Sequence, residues 1–82
     1  MWQTYYEYDA TIYRLFLNER EVAYIEKSYD WATKKTNYFG FVLDKENDHH
    51  SIVDSSLDSI KIKAVVKAKE LGWAIQEWPI KE

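Results

Sequence analysis

Residues 15–25 read LFLNEREVAYI, and the conformation of this stretch decides whether the chain is mostly sheet. In one reading Asn18-Glu19-Arg20-Glu21 is a turn and residues 22–27 return as the second strand of a hairpin, because Asn suits tight turns. In the other, Asn18 caps a helix with Glu21 three residues on, and Val22, Ile25 and Tyr29 follow at helical spacing. The surroundings favour the hairpin, since residues 1–44 are crowded with Tyr, Phe, Trp, Ile and Val and hold no Pro. The helix remains the open alternative.

Working outward, residues 2–8 read as a strand that continues or kinks at Asp9 and Ala10 into residues 11–17. Residues 28–36, with Asp30, Lys34 and Lys35, read as a loop. Residues 37–44 read as a strand with Phe39, Phe41 and Leu43 on one face and Tyr38, Gly40 and Val42 on the other, and the Phe face is expected to lie under a helix. Residues 44–54 are polar and acidic and read as a loop. Ser55-Ser56-Leu57-Asp58 then supplies a hydroxyl cap and a carboxylate suited to the positive end of a helix dipole. Leu57, Ile60, Ala64, Ala68 and Leu71 follow at spacings of three and four, and Gly72 suits a C-terminal cap, so a helix is expected over residues 56–71. Residues 73–78 are either a last short strand stopped by Pro79 or an extended tail packed by Trp73 and Trp78. The expected architecture is a single α+β domain spanning residues 1–82, an antiparallel sheet of three or four strands with one helix packed on one face.

With 82 residues the chain has room for one core, and that core must do without disulfides or a thiol nucleophile because Cys is absent. The material is sufficient: 46% of residues are hydrophobic, with 4 Trp, 7 Tyr and 3 Phe. A net charge of -3 has the wrong sign for a dedicated nucleic-acid binder, so direct binding of nucleic acid is not expected. No apolar run approaches the roughly 20 residues that span a bilayer, and MWQTYYEYD lacks the regions of a signal peptide. A cytoplasmic protein without membrane contact is the expectation.

Chemistry-bearing motifs are few. Asp44, Glu46 and Asp48 alternate like the first ligands of a calcium loop, but His49 stands where the turn needs Gly and Ser55 where a bidentate Glu belongs. A solvated acidic loop accounts for them better. No nucleophile elbow, phosphate loop or zinc-type pair occurs, so neither catalysis nor a metal or other cofactor is expected. The candidate partner-binding patch is Trp31, Tyr38, Asp44, Glu46 and Asp48, with rings at its centre and carboxylates at its rim to choose a basic protein. The Tyr residues are too many for so small a core, so some should lie on an open sheet face. Ile62 and Val66 sit nearly opposite the apolar stripe of the helix, either as tolerated surface aliphatics, under a folded-back tail, or as a second interface such as a homodimer contact.

Two resemblances bear on function. Phe39-Gly40-Phe41-Val42 is similar to the centre of the aromatic RNA-binding signature on the third strand of RRM domains, although Asn37 and Tyr38 replace its basic residue and Gly and Asp44 replaces its last aromatic. The order of LFLNEREVAYI, a Trp-containing turn, an aromatic strand and SSLDSIKIKAVVKAKELG resembles the small meander-plus-helix proteins common among phage accessory genes, some of which inhibit bacterial defence systems such as CRISPR effectors. That resemblance implies a non-catalytic inhibitor in the host cytoplasm that binds a basic surface of a host defence or nucleic-acid-handling protein. The alternative is a small nucleic-acid-binding module using the aromatic face of its sheet.

Overall fold

The computed structural model describes residues 2–7 and 10–75. Five antiparallel strands, β1 (Trp2–Glu7), β2 (Ala10–Leu17), β3 (Arg20–Asp30), β4 (Lys35–Leu43) and β5 (His49–Asp54), are followed by one helix, α1 (Leu57–Glu70). The strands lie side by side in chain order, so the sheet is a plain meander. The α+β class holds, but the strand number is five rather than three or four. Residues 2–17 form two strands, with Glu7 paired to Ala10, and the supposed acidic loop contains β5. As an edge strand β5 buries only Ile52, so its sequence, HHSIVD, carries little hydrophobic alternation. The supposed loop at residues 28–36 is likewise mostly paired, from Ser28 with Asn37 to Asp30 with Lys35. These residues are largely exposed, which is why their sequence is polar.

The deciding stretch is a hairpin. The turn is shorter than expected: Arg20 and Glu21 already pair with Leu17 and Phe16 in β3, and Asn18 and Glu19 have positive φ, 51° and 70°, the left-handed pair that suits a two-residue connection between twisted strands. Beyond it the register shifts, with Leu15 opposite Ala23 and Phe16 opposite Glu21, which leaves Val22 as the extra residue of a bulge. The bulge lets Val22 and Ala23, although adjacent, both be fully buried.

Helix α1 lies across β3, β4 and β5. Ser56 caps it, accepting a hydrogen bond from the Ser59 amide at 3.3 Å. At the other end Gly72 (φ 99°) donates to the Lys69 carbonyl while the Trp73 amide returns to the Ala68 carbonyl, a Schellman closure. Ile60, Ala64 and Ala68 of the expected stripe are buried, Leu57 and Leu71 pack at its ends, and Val65 is buried beside them. Their sheet partners differ from those expected. Val42, in register with Ala23 and His50, and Gly40, in register with Ile25 and Ile52, share the covered face, whereas Phe39 and Phe41 face the other way. Bulk suggested the Phe side, but the covered face is the one on which the register partners Ala23, Ile25 and Ile52 are buried; on it position 40 must be Gly, since a Cβ there would meet the Tyr24 carbonyl oxygen at 1.7 Å. Trp73 closes the far end, donating from Nε1 to the Leu43 carbonyl at 2.8 Å, and residues 73–75 form no strand. The rest of the expected tail, including Trp78 and Pro79, lies outside the described residues, as do Tyr8 and Asp9. Among the described residues, no helix is long and apolar enough to cross a membrane.

Candidate interaction surface

With α1 on one face, no described secondary-structure element covers the opposite face of the sheet. Because side chains alternate and register pairs share a face, that face can be read strand by strand. Tyr5 from β1, Arg14 from β2, Tyr24 from β3, Phe41 from β4 and His49 from β5 line up across it. The Arg14 guanidinium lies 5.1 Å from the Tyr5 ring centroid and 5.4 Å from that of Tyr24. Tyr24 stacks on Phe41 at 5.1 Å, and Phe41 meets His49 at 4.3 Å. The result is a π-rich ladder crossing the whole sheet. Beside it Phe39 and Val53, paired in register, remain 43% and 62% exposed. Glu21 reaches Arg14 at 3.6 Å, and the Tyr24 hydroxyl donates to Glu26 Oε1 at 3.0 Å. Burial raises the Tyr24 pKa above its ordinary value, and the Glu26 carboxylate adds to the effect, so the hydroxyl stays a proton donor.

The five expected patch residues do not meet. Trp31 is 81% exposed in the turn at residues 31–34, edge to face with Tyr29 at 4.7 Å. Asp44, Glu46 and Asp48 belong to the turn at the other end of β4, eight residue steps or roughly 26 Å away. Tyr38 packs against the core on the helix side. Asp44 is occupied internally: its Oδ1 accepts from the amides of Glu46 and Asp48, both at 2.9 Å, and its Oδ2 lies 3.0 Å from His50 Nε2. The His50 hydrogen bond, aided by the Asp48 amide, lowers the Asp44 pKa. Glu46 and Asp48 are exposed, but Arg20 crosses to the same turn, donating to the Asn47 side chain at 3.1 Å. This end of the sheet is therefore of mixed charge and tied together.

Ile62 and Val66 are 46% and 50% exposed and border a shallow apolar groove with Ile52. The Tyr expectation finds its place in Tyr5 and Tyr24. Sequence reasoning missed Arg14 and His49, whose role appears only once the register of all five strands is known. Among the described residues, no three His, Cys, Asp or Glu side chains come together to hold a metal ion. No family model, curated protein or solved structure matches the chain.

Proposed function

We propose that this protein is a non-catalytic binding module that docks the uncovered face of its sheet onto a basic surface of a protein partner. The observation that carries the reading is the Tyr5, Arg14, Tyr24, Phe41 and His49 ladder on a face that no described element covers. Tyr and Arg are the side chains that anchor protein interfaces, because they offer large contact area with a polar handle. Glu7, Glu21 and Glu26 outnumber the nearby Arg14 and Lys27 and, together with a net charge of -3, select a basic partner. A phage or mobile-element inhibitor of a host defence or nucleic-acid-handling protein, acting in the host cytoplasm, has this requirement, since such hosts carry basic nucleic-acid channels.

A second reading has one observation in its favour. Phe39 and Phe41 lie on the open face, as rings that stack on bases must. Electrostatics weigh against it, because affinity for nucleic acid comes from clustered Lys and Arg.

The test uses Phe39→Glu with Val53→Glu on the open face and Ile62→Glu on the helix. Immobilised protein is exposed to host lysate and retained proteins are identified by mass spectrometry. A basic protein that is lost with the sheet variants and kept with Ile62→Glu supports the reading, whereas the reverse pattern moves the interface to the helix. Fluorescence anisotropy with mixed-sequence DNA and RNA should show negligible binding near physiological salt. Micromolar binding that weakens steeply with salt would assign the face to nucleic acid.

A further inference from the structure

The open face dips into a groove of about 740 Å³ at the end where the chain turns from β3 into β4. Ile12 forms part of its floor; it is only 4% exposed yet stands apart from the core under the helix. Trp31 and Tyr29 border it with their rings nearly perpendicular at 82°, and Tyr24 borders it with a ring already flanked by Arg14 and Phe41. Glu7 and Glu26 supply carboxylates. Glu26 uses Oε1 to accept from Tyr24, and among the described residues neither glutamate forms an ion pair. Lys27 also borders the groove without pairing to either of them.

Two carboxylates beside the exposed Trp31 ring, above an aliphatic floor, select a cation carried on an apolar stem. The same face already shows that chemistry filled: Arg14 lies against the Tyr5 and Tyr24 rings with Glu21 at 3.6 Å. The groove repeats the combination with no guanidinium of this chain in it.

We propose that this groove seats an arginine side chain of the partner, its guanidinium stacked on Trp31 and paired with Glu7 and Glu26, its methylenes over Ile12. The proposal rests on the reading of the open face as a protein-docking surface and names the group that this surface captures. Arginine fits better than a quaternary ammonium, which has no N–H for the two carboxylates, and better than lysine, whose compact ammonium cannot stack as a plane.

The probe is the peptide acetyl-Gly-Arg-Gly-amide, titrated into ¹⁵N-labelled protein and followed by NMR, against the same peptide with citrulline, which keeps the shape and removes the charge. The amides of Glu7, Tyr24 and Glu26 and the Trp31 indole N–H should shift with the arginine peptide, with citrulline about tenfold weaker. Glu26→Gln and Trp31→Ala should each weaken the arginine peptide by about fivefold. Trp31 is so exposed that its truncation leaves the fold intact, which an unchanged spectrum of core amides verifies. An unshifted groove, or equal shifts from citrulline, overturns the arginine seat. The two ideas fail separately: arginine binding with lysate capture indifferent to Phe39→Glu and Val53→Glu sinks the docking face alone. Capture lost in those variants without arginine binding sinks the seat alone.

Discussion

Among the described residues, four with side chains hold left-handed backbone, Asn18, Glu19, Lys34 and Asn47, and all four lie in the turns between strands. Asn tolerates that region, whereas Glu19 (φ 70°) has no local compensation beyond the hairpin itself. Glu19→Gly should therefore stabilise the protein by about 1 kcal/mol, read as a rise in Tm of about 4–8 °C for a domain of this size. An unchanged or lower Tm would remove the strain argument. A second residue-scale prediction concerns acid. The Asp44 pKa is lowered first by its hydrogen bond with His50, and that of Asp54 by its hydrogen bond with Lys63. Both carboxyls thus bind protons less readily folded than unfolded. The stability they contribute is full above their ordinary value of 3.8 and is lost as pH falls through the lower folded values. Thermal melts from about pH 6 down to about pH 2.5 should show that decline, and Asp44→Asn with Asp54→Asn should make it shallower.

Each strand offers two faces, and β4 shows how much depends on choosing between them. Val42 is fully buried while Phe39 stays 43% exposed, so Val42→Ala should cost about 2 kcal/mol and Phe39→Ala less than about 1 kcal/mol in urea titrations. The opposite order would reverse the face assignment. The helix was legible in the sequence because its signals are local: a Ser cap, an apolar stripe and Gly72 in the closing turn. The hairpin at Asn18 was legible for the same reason. The faces of β4 were not, since a period of two fits either side equally, and the buried side follows from register partners on β3 and β5, Ala23, Ile25 and Ile52. Nor was β5 legible, an edge with one buried residue. The site suffered most. Trp31 and Asp44 flank the same strand in sequence, yet a strand keeps its two ends apart, while the side chains of the ladder come from five separate segments that only register aligns.

Taken as a whole, the molecule has two unlike sides, one closed by α1 and one open, and two unlike ends. At one end Arg20 and Lys45 lie over Trp73, at 4.8 and 5.3 Å from its ring, and tie two turns to the chain that leaves the helix. At the other, Trp31 and Tyr29 project beside the carboxylates of the groove. The chain-order meander has a further consequence, for the time the protein needs to assemble. Every strand pairs only with its sequence neighbours, across links of two to five residues. Closing such short loops sacrifices little chain entropy, so the search that slows most sheet proteins is largely spared. Stopped-flow refolding from urea should then be complete within milliseconds, faster than sandwiches of similar size, and a main phase lasting seconds would show that docking the helix, rather than zipping the sheet, sets the rate.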